Sequence, residues 1–118
     1  MRSIIKEKSF SFSIRIVKLC KYLNDEKKEY ILAKQLLKSG TSIGANVREA
    51  LNAESRLDFI HKLAIAQKEC DETLYWLELL KETDIISLKE FDSIYSNASE
   101  LLKMIRSIII KSKSKISK

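Results

Sequence analysis

The stretch "LLKSGTSIGANVREA", from Leu36 to Ala50, contains both glycines of a 118-residue chain, Gly40 and Gly44. Glycines among small polar residues are typical of a phosphate-binding loop, or of a helix whose backbone lies against a close neighbour. No predicted strand precedes the stretch and no Gly-Lys-Ser or Gly-Lys-Thr follows its glycines, so the residues that a phosphate loop needs are missing. We therefore interpret the stretch as part of a helix.

This helix is predicted to run from about Glu26 to Asn52, after a cap at Asn24 or Asp25. Two glycines cost a helix about 2 kcal/mol relative to alanine. That loss is understandable if a bulky side chain packs directly on the backbone, so we expect close helix packing at both glycines. They belong to a predicted core stripe with steps of four and three: Ala33, Leu37, Gly40, Gly44, Val47 and Leu51.

An amphipathic first helix is predicted from Ser9 to Leu23, because apolar residues recur there at three and four positions. Cys20 belongs to this stripe and Cys70 to a later one, so both are expected to be buried thiols. The inner stripe comprises Phe12, Ile16, Leu19, Cys20 and Leu23, and we expect Phe10, Ile14 and Val17 to widen it.

Two serine-based capping patterns mark the starts of the third and fourth helices. Ser55 with Asp58 predicts a third helix that ends near Thr83, and Ser87 with Glu90 predicts the start of a fourth. Their predicted inner stripes are Ile60, Leu63, Gln67, Cys70, Leu74 and Leu77, and Leu88, Phe91, Tyr95, Ala98, Leu102, Ile105 and Ile109.

The composition favours an all-α chain, because proline is absent and only short polar turns separate the predicted helices. Short connections favour antiparallel neighbours, so we predict one up-and-down antiparallel four-helix bundle over residues 1–110. Residues 111–118, rich in serine and lysine, are predicted to be a disordered tail. No apolar run approaches the roughly 20 residues that cross a bilayer, so we expect a cytoplasmic protein without membrane contact.

The charge is unevenly distributed along the chain. The net charge of +6 divides into +5 over residues 1–21, +1 over 22–53, −4 over 54–86 and +4 over 87–118. In an up-and-down bundle the start of the first helix, with Arg2, lies beside the end of the fourth, with Lys118. The candidate contacts to nucleic-acid phosphates are Lys6, Lys8, Arg15, Lys18, Lys21, Lys111, Lys113 and Lys115.

Two predicted outer faces carry residues that suit contact with a partner better than water. The second helix presents short polar groups and the third presents a tryptophan beside apolar residues, a combination typical of protein interfaces. We predict self-association there, with ordinary exposed faces as the alternative. The candidate oligomer interface comprises Gln35, Ser39, Ser42, Asn46, Glu49, Ile65, Glu72, Trp76 and Leu79.

Catalytic and metal-binding patterns are missing from the sequence. A di-iron bundle needs two Glu-x-x-His pairs, but His61 is the only histidine. Cys20, Cys70 and His61 do not have the spacing of a zinc site. We therefore predict a protein that is not an enzyme and that needs no cofactor or metal.

The runs "KSFSFSIRIVKLCKYLNDEKKEYILAKQLLKSGTSIGANVREA" and "DFIHKLAIAQKECDETLYWLELL" resemble the four-helix-bundle family of proteins encoded in intervening sequences of bacterial 23S ribosomal RNA genes. Its most specific part is the block from Gln35 to Asn46. The resemblance implies a left-handed up-and-down bundle that assembles into a homopentameric ring. It extends to the accessory protein of diversity-generating retroelements, which is similar in fold and works with a reverse transcriptase and nucleic acid.

Two functions follow from these observations. The first is a non-enzymatic oligomeric scaffold that binds structured RNA or another nucleic acid through basic surfaces of the first and fourth helices. The second is an oligomeric protein-protein adaptor, whose lysines serve solubility and bind no nucleic acid. A steep salt dependence of RNA binding would distinguish the first from the second.

Overall fold

The computed structural model describes residues 3–116, and these residues form four α-helices and no strand. The helices are α1 (Ile4–Asp25), α2 (Tyr30–Leu51), α3 (Arg56–Glu82) and α4 (Leu88–Ile116). Each helix packs on the next one in the chain, and α1 also contacts α4. The molecule measures 51 × 24 × 21 Å. Helices of 22 to 29 residues are longer than its two short dimensions, so they lie along its long axis. The all-α prediction is confirmed, and the arrangement is consistent with a four-helix bundle.

Side-chain caps define the starts of α3 and α4 as the sequence indicated. The Ser55 hydroxyl accepts a hydrogen bond from the Asp58 backbone N–H at 3.0 Å. Ser87 accepts from the Glu90 N–H at 3.1 Å, and the Glu90 carboxylate accepts from the Ser87 N–H at 3.2 Å. This reciprocal pair is a capping box, which satisfies two backbone donors at a helix start.

The starts of α1 and α2 differ from the prediction. α1 begins at Ile4, earlier than expected, because the Ser3 hydroxyl caps it. It continues through Asp25, so neither Asn24 nor Asp25 is available to cap α2. Glu29 takes that role, and its carboxylate accepts from the Leu32 N–H at 3.2 Å.

The predicted core stripe of α2 is one residue out of place at two of its six positions. Leu36 and Ala50 are buried, whereas Leu37 and Leu51 are 39% and 44% exposed. Leu36 and Leu37 are adjacent apolar residues, as are Ala50 and Leu51. Periodicity alone does not show which residue of each pair is buried. Ile43 in the middle of the helix is fully buried and aligns with Leu36.

Three apolar residues of α1 are exposed where a widened core stripe was predicted. Phe10 is 51% exposed, and Ile14 and Val17 are each 43% exposed. Phe12 and Ile16, from the predicted inner stripe, are buried in the core. The expected widening of the core stripe is therefore wrong.

Both glycines of α2 lie against α1. A methyl group at Gly40 would lie 2.8 Å from Cγ1 and Cγ2 of Ile16. At Gly44 it would lie 3.2 Å from the Ser13 hydroxyl and 3.2 Å from the carbonyl oxygen of Ser9. The missing side chains thus bring the backbone of α2 into close contact with α1.

α4 does not end at Ile110 but continues to Ile116, so residues 111–116 are helical where a disordered tail was predicted. Ser112 is 7% exposed and continues the buried stripe of Ile105 and Ile109. Lysine is a good helix former, and an existing helix is readily extended. Arg2 and Lys118 lie outside the described residues, as do residues 1 and 117. Within residues 3–116, no helix is long and apolar enough to cross a membrane.

Candidate nucleic-acid and oligomer interfaces

Two of the candidate cations on α1 bind side chains of α4. The Lys8 ammonium forms a salt bridge of 2.8 Å with Glu100, and both side chains are about half exposed. The Arg15 guanidinium donates to the Asn97 amide oxygen and, at 3.2 Å, to the Ser93 hydroxyl. An exposed pair of this kind contributes about 0–1 kcal/mol, so a phosphate could displace Glu100 at little cost.

Arg15 also lines two cavities along the contact between α1 and α4. One has a volume of about 380 Å³ and includes Lys8, Glu100 and Asn97 in its lining. The other, of about 280 Å³, has Lys18 and Tyr22 at its edge. Acidic and basic side chains line both, so neither cavity is a purely cationic phosphate site.

Lys6 and Lys21 lie on the opposite flank of α1, toward α2. They share a helix face with Phe10, Ile14 and Val17, because the steps from Lys6 to Lys21 along these residues are four, four, three and four. Both lysines are exposed. The five candidate cations of α1 therefore form two groups, and only Lys8, Arg15 and Lys18 are directed to the α4 side.

Lys111, Lys113 and Lys115 are exposed on the last turns of α4. Because these turns are helical, the three lysines have fixed spacing rather than the freedom of a tail. Cations near a helix carboxyl end also interact favourably with the helix dipole, which is a structural role independent of any ligand.

The α2 part of the predicted oligomer interface is only partly an outer surface. Ser39 is 1% exposed, and the Thr73 hydroxyl donates a hydrogen bond of 3.0 Å to it in the α2–α3 contact. Placing Ser39 on an outer face was therefore wrong. Ser42 and Asn46 are partly buried, and both donate to carbonyl groups of their own helix.

The two residues at the ends of the predicted α2 interface are exposed to solvent. Gln35 and Glu49 are exposed, and Glu49 forms a salt bridge of 3.2 Å with Lys62 of α3. This pair and the Ser39–Thr73 contact both join α2 to α3.

The α3 part of the predicted interface is partly buried at its apolar residues. Trp76 packs partly on the hydrophobic core, and its indole N–H donates to the Glu72 carboxylate at 3.4 Å. The prediction that Trp76 faces away from the core is thus corrected, because a large ring can cover the core while its edge reaches the surface. Ile65 and Leu79 are also partly buried. Tyr75, which the sequence did not single out, contacts Trp76 edge-to-face and is 58% exposed.

An apolar groove between α1 and α2 was missed from the sequence. It encloses about 310 Å³, and its walls include Phe10, Ser13, Thr41 and Ala45. The Arg48 guanidinium lies 5.0 Å from the centre of the Phe10 ring. The sequence does contain an indication of this groove. Apolar residues occupy more of the circumference of α1 than a single core-facing stripe needs, so some of them had to be exposed.

The two cysteines are buried and their thiols donate to carbonyl groups. The Cys20 thiol lies 3.3 Å from the Ala33 carbonyl oxygen, and the Cys70 thiol 3.2 Å from that of Ala98. Burial raises the pKa of Cys20 to about 11 and that of Cys70 to about 12. Both thiols are therefore protonated at neutral pH, and protonated thiols are poor nucleophiles. In the described part of the chain, no three His, Cys, Asp or Glu side chains are grouped to hold a metal ion.

Comparisons with known proteins agree with this fold. A family model described as "23S rRNA-intervening sequence protein" matches residues 1–107. A solved structure from Bacteroides thetaiotaomicron, described as a protein with unknown function from the S23 ribosomal protein family, is 53% identical to this chain with a TM-score of 0.89. The match covers 90% of this chain and 98% of that one. No curated protein matches the chain.

The family match covers nearly the whole chain, and the structural match has the same four-helix fold over almost all of its length. The family resemblance, whose most specific part is the block from Gln35 to Asn46, is therefore confirmed. This chain belongs to the family of 23S rRNA-intervening sequence proteins.

Proposed function

We propose that this protein is a non-enzymatic, cytoplasmic, oligomeric scaffold that binds structured RNA, or another nucleic acid, through basic surfaces of α1 and α4. The observation that carries the proposal is the exposure of several cationic side chains at fixed helical spacing on one side of the molecule. Lys18 on α1 and Lys111 and Lys115 on α4 are exposed, and the chain has a net charge of +6. Such a surface attracts phosphates without reading bases.

We infer that the helices run up and down in antiparallel order, as a left-handed bundle. Residue pairs between helices support the antiparallel order. From Lys8 to Arg15, the partners on α4 fall from Glu100 to Asn97 and Ser93. This order brings the start of α1, with Lys6 and Lys8, toward the last part of α4, whereas Lys18 lies beside the start of α4 near Glu90.

We also propose that the protein self-associates as a ring of five copies. The support is the resemblance to the family together with exposed apolar surface on α1 and partly buried apolar residues on α3. Repetition of one weak phosphate-binding surface in a ring would let several contacts act together on one long RNA, which raises affinity without new contacts.

RNA binding should then be weakly selective for sequence and steeply dependent on salt. Each neutralised phosphate releases counterions, so the logarithm of the binding constant falls linearly with the logarithm of the salt concentration. The experiment is fluorescence anisotropy with two unrelated structured RNAs and their DNA counterparts, over a salt series starting near 50 mM. Similar steep slopes for both RNAs support the proposal.

The second candidate function is a protein-protein adaptor. The salt bridge of Lys8 with Glu100 and the hydrogen bonds of Arg15 to α4 favour it, because these cations already have partners within the chain. The exposed apolar groove between α1 and α2 favours it as well. If the protein binds no RNA or DNA at the lowest salt concentration, the positive charge serves solubility and the adaptor becomes the better function.

A further inference from the structure

One side of the molecule, which we call the α1–α2 face, exposes a continuous row of apolar side chains. On α1 it comprises Phe10, Ile14 and Val17, and on α2 it includes Leu37, which is 39% exposed. The contact of Ile16 with Gly40 sets the alignment of the two helices, so Val17 and Leu37 lie at about the same level. Apolar side chains grouped in this way mark a contact surface more often than chance exposure.

The centre of the α1–α2 face is concave. Thr41 and Ala45 have short side chains, Gly44 has none, and these residues line the groove of about 310 Å³ beside Phe10. The edges of the face are cationic, because Lys6, Lys21 and Arg48 are exposed there. The α1–α2 face therefore combines an apolar groove with a positive border.

A second side of the same molecule, the α2–α3 face, has the opposite charge. Its apolar part is formed by Ile65, Trp76 and Leu79, which are all partly buried, and Trp76 packs on the core. Carboxylates outnumber cations around that part, where Lys62 forms a salt bridge with Glu49. The acidic side chains of the α2–α3 face are Glu49, Asp58, Glu69 and Glu72.

We propose that the α1–α2 face of one copy of this chain docks on the α2–α3 face of a second copy, so that subunits associate head to tail. The inference rests on the self-association in the proposed function and names the two surfaces that meet. The opposite charges of the two faces favour contact between unlike faces over contact between like faces. Two α1–α2 faces in contact would bring the cations Lys6, Lys21 and Arg48 together, and two α2–α3 faces would bring carboxylates together. Only the mixed contact joins opposite charges and covers both apolar surfaces.

A mixing experiment tests this arrangement. Ile14→Lys places a charge in the apolar row of the α1–α2 face, and Ser42→Arg places a long cation in the middle of the α2–α3 face. Ile14 is 43% exposed, and Ser42 donates only within its own helix, so both variants should fold. Leu88→Lys is the matched control, because Leu88 is 64% exposed on α4, outside both faces. Circular dichroism checks folding, and light scattering coupled to size exclusion gives the mass.

In a head-to-tail contact each variant alone is a monomer, and an equimolar mixture forms a 1:1 heterodimer, because one intact pair of faces remains. The Leu88→Lys control assembles like the unaltered protein. If Ile14→Lys alone assembles fully, or if the mixture stays monomeric although both variants fold, the head-to-tail pairing is wrong while an oligomeric scaffold remains possible. If the unaltered protein is itself a monomer at 100 μM, both the pairing and the proposed self-association fail. RNA binding is measured separately and affects neither conclusion.

Discussion

Gly40 of α2 lies so close to Ile16 of α1 that a methyl group at Gly40 would approach two carbons of the isoleucine to 2.8 Å. Ile16 is fully buried and its Cγ atoms are near the backbone, so it has little freedom to move away. We predict that Gly40→Ala lowers the free energy of unfolding by about 1–3 kcal/mol, although alanine improves helix propensity by about 1 kcal/mol. Urea denaturation followed by circular dichroism measures the change.

The matched control removes the obstructing side chain. In an Ile16→Ala background, Gly40→Ala should destabilise much less, or stabilise, because the carbons that block the new methyl group are gone. Contacting residues couple in this way, whereas independent ones add. Equal effects of Gly40→Ala in both backgrounds would show that Ile16 is not the obstacle.

Gly44→Leu should also destabilise, by about 1–3 kcal/mol through overpacking. A side chain at Gly44 points toward the Ser13 hydroxyl and the carbonyl oxygen of Ser9, and a backbone atom yields less easily than a side chain. Gly44→Ala, with only one added methyl at 3.2 Å, should have a smaller effect than Gly44→Leu. A melting temperature that rises in Gly44→Leu would contradict the close approach of α1.

Ser39 should act as a core residue rather than as an oligomer contact. Its hydroxyl accepts from Thr73 within the α2–α3 contact. Ser39→Ala and Thr73→Val should each cost about 1 kcal/mol of stability, and the double variant less than the sum, because both polar partners are then removed. The same samples should keep the oligomeric mass of the unaltered protein. If Ser39→Ala lowers the oligomeric mass and leaves stability unchanged, Ser39 is an oligomer contact after all.

The buried thiols should make the protein sensitive to alkali. Burial raises the pKa of Cys20 to about 11 and of Cys70 to about 12, from an ordinary value of 9.0. The unfolded chain therefore loses these protons at lower pH than the folded one, and their contribution to stability falls as pH rises from about 9 through the raised values. Urea denaturation at pH 7 to 11 should show a steeper loss for the unaltered protein than for a Cys20→Ala, Cys70→Ala variant. Parallel curves would mean that the thiols do not cause the sensitivity.

Neutralising cations of α1 should weaken RNA binding without unfolding the bundle. Replacement of Lys6, Lys8, Arg15 and Lys18 by Gln should lower affinity for unrelated structured RNAs about equally and flatten the salt dependence, because fewer counterions are released. Lys6 lies on the α2 flank, so Lys6→Gln alone should contribute little. An undiminished salt slope in the fourfold variant would place the phosphate contacts elsewhere.

The lysines at the end of α4 need a substitution test rather than a deletion. Removing everything after Ile110 would also remove the buried Ser112 and shorten a packed helix. Replacing Lys111, Lys113 and Lys115 with Gln keeps the helix and should reduce RNA affinity in the same direction as the α1 variants. If the RNA affinity equals that of the unaltered protein, these lysines do not bind RNA and act only on the helix dipole.

The sequence predicted the helices better than it predicted their faces. The caps at Ser55 and Ser87 were recognisable because a serine followed three residues later by a carboxylate satisfies helix-start donors locally. The burial of Ser39 was not recognisable, because its partner Thr73 is 34 residues away and only the fold brings them together. A buried hydroxyl is acceptable only when such a partner exists.

The exposure of Phe10, Ile14 and Val17 could not be predicted from the sequence for a related reason. Periodicity reports which residues are apolar, and it does not report whether an apolar side chain packs on its own chain or on another. On α2, adjacent apolar residues at Leu36 and Leu37 left the orientation ambiguous by one position. Prediction of the candidate surfaces therefore needs the positions of the neighbouring helices, and local sequence patterns do not give those positions.

The two faces of the proposed head-to-tail contact share α2, and this fixes how successive copies are oriented. In a bundle of roughly square section, two faces that share one helix have outward directions about 90° apart, so each added copy is rotated by roughly 90°. Contacts with that rotation close after about four copies, and a ring of five needs a rotation of roughly 72°. Both faces run parallel to the helices, so the symmetry axis would do the same. Every copy would then present Lys111, Lys113 and Lys115 on the same rim, as an annulus of positive charge with the opening of the assembly at its centre.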